Sequence, residues 1–186
     1  MLNCAVDIVQ GSGQMSDVNQ PIGVSSAVTV ETLMRLDFTD VVMIPDSESA
    51  RLFDAVRSCD ALNVISPTRE GEGIAIAAGL WVGGRKPLVV IQNTGLMEAG
   101  DALRGCGIGP HIPLRLMVGW RGYPGAQAGR LPVDSAHPYT EPLLDAWNVP
   151  HWHLMTDDDL HTIGLMDDTA SASSLPAAVL TGWSFR

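Results

Sequence analysis

Residues 69–81 read REGEGIAIAAGLW and join a short strand to an apolar helix. The run ahead of them, residues 61–66, is short and apolar and ends at Ser66-Pro67, where the residue before proline is pushed out of helical geometry. Residues 73–82 carry no charge at all, which predicts a helix buried all round. Glu70 therefore stands at the mouth of a buried element, with Gly71 and Gly73 clearing space beside it. A carboxylate held there is either a helix-dipole partner or a working acid/base group.

Helix-like and strand-like segments alternate on both sides of this stretch. Residues 24–36 form a helical candidate with Ser25 or Ser26 as its cap. Residues 40–44 (DVVMI) form a short strand that ends in a Pro45-Asp46-Ser47 corner. Residues 49–58 read as an amphipathic helix with Leu52, Phe53 and Val56 on one face. Strands are expected over 63–65, 88–92 (LVVIQ), 113–118 (PLRLMV), 151–155 and 177–180, and helices over 96–103, 141–147 and 157–166. The Gly/Pro/Arg stretch 119–132 and the Ser/Ala cluster 170–174 read as loops. Strands that are apolar on both faces and separated by helices predict a parallel sheet covered on both sides. The fold class is thus α/β: one doubly wound domain over residues 21–186, with about six strands. Ligands of such sheets lie at the carboxyl ends of the strands. The corner at 45–47, Arg69-Glu70, Gln92-Asn93-Thr94-Gly95 and the segment 119–122 all fall there.

The chain has 186 residues, enough for one domain with a full core. Charged residues make up only 17%, a shortage that points to surface covered by another chain. The net charge of −10 comes with no basic stripe, which argues against nucleic acid. Cys4, Cys59 and Cys106 are too scattered for a disulfide framework or a zinc cluster, which favours a reducing cytoplasm. No signal peptide and no apolar run of membrane-spanning length is present. Residues 1–20 fit no periodic element and read as a flexible leader, with Met15 as an alternative start to Met1.

Three motifs in order carry a family resemblance. They are REGEGIAIAAG, with Glu70 nine positions before Gly79; KPLVVIQNTGL at 86–96; and GWRGYPG at 119–125. Together they resemble the pyrimidine-binding domain of thiamine diphosphate-dependent 2-oxoacid decarboxylases. The closer likeness is to the α chain of sulfopyruvate decarboxylase and the N-terminal half of phosphonopyruvate decarboxylase. Those enzymes share an E-G-x-(G/A)-x-x-x-A-x-G segment, a K-P-x-x-x-x-Q-N-(S/T)-G-L strand end and a G-W-R-G-x-P-G loop. The resemblance spans residues 25–180.

The resemblance implies an enzyme in which Glu70 holds a ring nitrogen of the cofactor's aminopyrimidine and so activates it. Asn93, Thr94 and Gly95 would line the cofactor, with Asn93 and Thr94 facing the reacting groups; turn-forming polar residues are the alternative reading. Ser47 and Arg121 become candidate substrate anchors. Ser47 reads equally as a helix cap with Asp46, and Arg121 equally as a loop salt bridge. The family continues G-L-G-N where this chain reads Gly95-Leu96-Met97-Glu98, adding bulk and an acid that disfavour an anionic group at that point.

The family's second domain holds Mg²⁺ and the diphosphate through a G-D-G…N motif. Gly100-Asp101-Ala102 lacks the second glycine and reads as part of a helix. The resemblance therefore implies a separate β subunit carrying that half, with no metal held by this chain. The implied reaction is decarboxylation of a small 2-oxoacid, 3-sulfopyruvate-like or phosphonopyruvate-like, to CO₂ and an aldehyde. Alternatives are a non-catalytic scaffold with a degenerate cofactor domain, or a carboligase that joins the activated fragment to a second carbonyl. His137, in the loop at 134–139, is a candidate proton donor. His151 and His153 alternate onto one strand face, where packing outweighs metal binding because no third ligand is apparent. Gly71-Glu72-Gly73 resembles the start of a dinucleotide fingerprint, but Ile76 stands where its last glycine belongs.

Overall fold

The computed structural model describes residues 23–129, 134–182 and 184–186. The leader read for residues 1–20, with the choice between Met1 and Met15, lies outside the described residues. The chain runs α1 (Ser26–Arg35), β1 (Asp40–Met43), α2 (Ala50–Arg57), β2 (Asn63–Ile65), α3 (Glu70–Val82), β3 (Pro87–Gln92), α4 (Asn93–Glu98) and α5 (Gly100–Leu103). It continues through a π-helical turn, Arg104–Ile108, to β4 (Arg115–Gly119), α6 (Tyr123–Gln127), α7 (Thr140–Ala146), β5 (His151–His153), α8 (His161–Ser173) and β6 (Ala177–Thr181).

The six strands form one all-parallel sheet in the order β2-β1-β3-β4-β6-β5. Successive strand residues feed opposite cores, as the two-residue period of a strand requires. Val41, Met43, Leu88, Val90, Met117 and Val179 join α1, α2 and α8 on one face. Val42, Val89, Ile91, Leu116, Val118 and Leu180 join α3, α4, α5 and α7 on the other. The predicted α/β doubly wound sheet is therefore the observed one. Its chain leaves β1 towards α2 on the first face and β3 towards α4 on the second. The adjacent carboxyl ends of β1 and β3 thus open a crevice, the switch point at which such sheets bind ligands.

Four local expectations change. Helix α3 begins at Glu70, not at residue 73, and it is not buried all round. Only one stripe of a helix can face a sheet, so Ala75, Gly79, Trp81 and Val82 remain exposed, Val82 at 70%. The Asn93-Thr94-Gly95 corner is the first turn of α4, with Gln92 as its extended N-cap residue. The expected loop at 119–132 contains α6, with Pro124 in its first turn, where a missing N–H costs nothing. The Ser/Ala cluster at 170–174 is mostly the last turn of α8, where Ser173 Oγ donates to Thr169 O at 2.8 Å. No helix among the described residues is long and apolar enough to cross a membrane.

Candidate active site

Glu70 is the first residue of α3, and its side chain lies across the start of α4. A Cβ built on Gly95 would fall 2.4 Å from Glu70 Cγ and 2.6 Å from Oε1. Gly95 is thus the one residue type that lets this carboxyl lie there. A Gly95→Ala variant is expected to fold, because the flexible Glu70 side chain can swing away, but to displace the carboxyl from its seat. The side-chain position of Glu70 in a crystal structure of the variant is the check, and an unmoved carboxyl would refute the steric argument.

Other acids already serve the N-terminus of α3. Glu98 Oε2 accepts from Gly71 N at 2.9 Å, and its Oε1 accepts from Arg69 Nε at 3.0 Å. Glu72 Oε2 accepts from the backbone N and the hydroxyl of Thr68, both at 2.8 Å. The Gly71 amide holds the Glu98 carboxyl below its ordinary value, with Arg69 contributing; the Thr68 amide and hydroxyl do the same for Glu72. Glu70 itself accepts no hydrogen bond among the described residues. The dipole task falls to its neighbours, and the Glu70 carboxylate stays free, half-buried, at the carboxyl end of the sheet. Glu98, the departure from the G-L-G-N pattern, is thereby explained as a cap on α3 and a partner of Arg69.

Asn93 is fully buried. Its amide donates to Arg121 O at 3.3 Å and Thr140 Oγ1 at 3.2 Å, and its Oδ1 accepts from Thr94 N at 3.0 Å. The side chain expected to face the reacting groups is thus turned inward, tying the end of β3 to the segment after β4 and to α7. Thr94 is exposed and its hydroxyl makes no hydrogen bond among the described residues. At the end of β1, Asp46 Oδ1 accepts from Glu48 N at 2.7 Å and Ser49 N at 2.9 Å, while Ser49 Oγ accepts from Asp46 N at 3.3 Å. Asp46 and Ser49 therefore start α2, and Ser47 is left exposed with no such role.

Arg121 holds its guanidinium between Asp134, 3.3 Å from Nε, and Gln92 Oε1, 3.3 Å from Nη1, with its side chain 48% exposed. The loop salt bridge and an open edge coexist. Gly122 turns the chain with φ 88°, and a Cβ built on it would fall 3.0 Å from His137 Cβ, so a side chain would not fit there. His137 stacks on Trp120, with ring centroids 5.1 Å apart, and its Nε2 is buried without a hydrogen-bond partner. Trp120 Nε1 donates to His137 O at 3.1 Å, which ties the two loops together.

His153 and His151 both approach Glu141 Oε1, at 2.8 and 3.7 Å. Among the described residues no group of three His, Cys, Asp or Glu is placed to hold a metal ion. Asp101 lies in α5, exposed and paired with Arg104.

The all-parallel sheet and its helices resemble the fold of a thiamine diphosphate-dependent decarboxylase. The chain matches the thiamine diphosphate-dependent 4-hydroxybenzoylformate decarboxylase of Rhodococcus jostii RHA1 with a TM-score of 0.69 over 87% of its own length and 31% of that chain, at 22% identity. By sequence it is 32% identical over 148 residues to the phosphonopyruvate decarboxylase of Streptomyces viridochromogenes, covering 75% of this chain and 35% of that one. It is 25% identical over 144 residues to the sulfopyruvate decarboxylase subunit alpha of Methanococcus maripaludis, and 26% identical over 152 residues to that of Methanothermobacter thermautotrophicus. It covers 83% and 89% of those two subunits. No family model matches the chain. The chain is a homologue of the sulfopyruvate decarboxylase alpha subunits and of phosphonopyruvate decarboxylase, and spans about a third of the latter. The resemblance carried by the three motifs is thereby borne out.

Proposed function

We propose that this chain is the α subunit of a two-chain, thiamine diphosphate-dependent decarboxylase that converts a small 2-oxoacid to CO₂ and an aldehyde. One observation carries the reading: the Glu70 carboxylate, free of hydrogen bonds among the described residues, seated over Gly95 at the carboxyl end of the sheet. A helix cap would be engaged with the helix, and Glu98 and Glu72 already are. The seat fits an aminopyrimidine: a half-buried acid that shares a proton with a ring nitrogen, next to a residue with no side chain to obstruct it. Thiamine diphosphate, when bound, supplies the carbanion chemistry that lets a 2-oxoacid lose CO₂.

This chain's own residues do the rest. Glu70 holds a proton at its carboxyl, Gly95 keeps that carboxyl in place, and Asn93 fixes the loops that bound the crevice. Thr94 and Ser47, both exposed, offer hydroxyls to substrate or cofactor, and the open edge of Arg121 offers an oxyanion contact. Mg²⁺ and the diphosphate would be held by a β subunit, and the assembled enzyme would work in the cytoplasm. Two observations support such a partner. Relatives of nearly this length are named alpha subunits, and the outer side of α3, the helix that Glu70 begins, presents Ala75, Gly79, Trp81 and Val82 to solvent.

The test is purification of the tagged chain from its native lysate, with mass spectrometry of bound chains and a thiochrome assay. A co-purifying chain and stoichiometric thiamine diphosphate are expected. A lone chain without cofactor would favour the scaffold instead, and a lone chain that decarboxylated 2-oxoacids would overturn the two-chain reading.

A further inference from the structure

Glu70 has a group that attracts carboxylates on either side of it in the chain: the Arg69 guanidinium before it and the Gly71 amide after it. Arg69 is the N-cap residue of α3, and its side chain makes no cap bond. The turn closes with Gly73 N donating to Arg69 O at 3.1 Å. Gly71 N is therefore one of the first-turn amides with no carbonyl of their own helix to bond. As the chain neighbour of both groups, the free acid of Glu70 is a ready partner for either, and the positive end of the helix favours such a capture.

One carboxylate from another helix takes both groups instead. Glu98 Oε2 accepts from Gly71 N at 2.9 Å, while Glu98 Oε1 accepts from Arg69 Nε at 3.0 Å and also from Arg69 Nη2. Gly95 and Glu98 lie three residues apart in α4, on the same side of that helix. One face of α4 thus meets the start of α3 at two points, with Gly95 against the Glu70 side chain and Glu98 on the amide that follows it. The approach is close without being crowded: a Cβ built on Gly71 would stand 3.5 Å from both Glu98 Oε2 and Ala102 Cβ.

We propose that Glu98 is a positioning residue of the candidate active site: by occupying the Arg69 guanidinium and the Gly71 amide together, it keeps both from drawing Glu70 off its seat over Gly95. The part that Glu70 plays in turnover rests on the function proposed above; the seat rests on these contacts alone. The side chains of Arg69 and Glu98 are 73% and 33% exposed, and an exposed ion pair is weak. Exchange of one acid for the other is therefore a several-fold effect and not an all-or-none loss.

Two measurements test it. In crystals of the full-length chain, Glu98→Ala is expected to show the Glu70 carboxyl turned to Gly71 N or to Arg69. The double variant Arg69→Ala/Glu98→Gln, which keeps an acceptor for Gly71 N and has no guanidinium, is expected to show it over Gly95. A Glu70 carboxyl unmoved in Glu98→Ala would overturn the proposal. In the assembled enzyme, Glu98→Ala is expected to lower kcat about 5-fold with KM for the 2-oxoacid unchanged, and Arg69→Ala/Glu98→Gln to bring kcat back to within about 2-fold of the wild type. In a Glu70→Gln background, Glu98→Ala should lower kcat no further, because no carboxylate remains to be drawn away. A merely structural role would lower kcat by the same factor in both backgrounds and leave the loss unrescued, and that result would also overturn the proposal. A wild-type assembly inert towards 2-oxoacids would count against the decarboxylase reading, and the place of Glu70 in the two crystal structures would then decide the positioning role by itself.

Discussion

Glu70→Gln is expected to cut turnover of the assembled enzyme by roughly 10²–10⁴-fold, the usual contribution of a positioned acid/base group, with KM for the 2-oxoacid little changed. The amide keeps the shape of the side chain, and no hydrogen bond within the chain is lost because Glu70 makes none among the described residues. Folding and subunit assembly should therefore survive, and only the acid/base capacity of the side chain disappears. Steady-state kinetics alongside size-exclusion chromatography of the complex would show it. Intact assembly with wild-type turnover would return Glu70 to the helix-dipole reading and favour the scaffold. The same variant should leave thermal stability within a few tenths of a kcal/mol, because Glu98 and Glu72 remain to serve the N-terminus of α3.

The largest effect on stability is expected at the opposite end of the sheet. Asp167 in α8 accepts from Arg115 Nε at 3.0 Å and from Lys86 Nζ at 2.6 Å, and both Asp167 and Arg115 are buried. Arg115 is completed by Pro113 O at 2.7 Å and Ser171 Oγ at 2.8 Å. Lys86 also reaches Leu36 O at 2.6 Å and lies 5.0 Å from the Phe38 ring centroid. Asp167→Ala removes the only carboxylate that this network has among the described residues and leaves a buried guanidinium without its counter-charge. Breaking one partner of a buried pair costs about 3–5 kcal/mol, to be read from the shift in urea midpoint. The double variant Arg115→Met/Asp167→Leu should recover most of that loss, since it leaves no buried guanidinium and Lys86, 27% exposed, keeps its bond to Leu36 O. A loss below about 1 kcal/mol for Asp167→Ala would show that water reaches Arg115 and that the network contributes little.

The sheet was legible because its evidence is local. Residues 41–43, 88–91, 116–118 and 177–180 lie buried with helices on both faces, and a strand covered on both sides is apolar almost throughout. Ser25 was readable as a cap for the same reason: its hydroxyl accepts from Val28 N only three residues away. The cluster at 170–174 misled, since Ser and Ala carry little periodicity, yet Ala170 packs into the core and extends α8. The candidate site was legible in part: the place of Glu70 at the start of α3 was readable from the break between a charged turn and an uncharged helix.

The sequence alone thus determined a parallel α/β domain and the strand ends at which its chemistry must lie, because apolar periodicity and turn residues act over a few neighbours. Tertiary structure decided what each polar side chain there is free to do. Glu98 comes from 27 residues away to cap Gly71 and release Glu70. Gly95 matters because Glu70 lies across it, and Asn93 is turned inward by Arg121 and Thr140. Each of these depends on which groups the sheet brings within a few ångströms of one another. Hydrogen bonds and charge act through that distance, and separation along the chain does not reveal it.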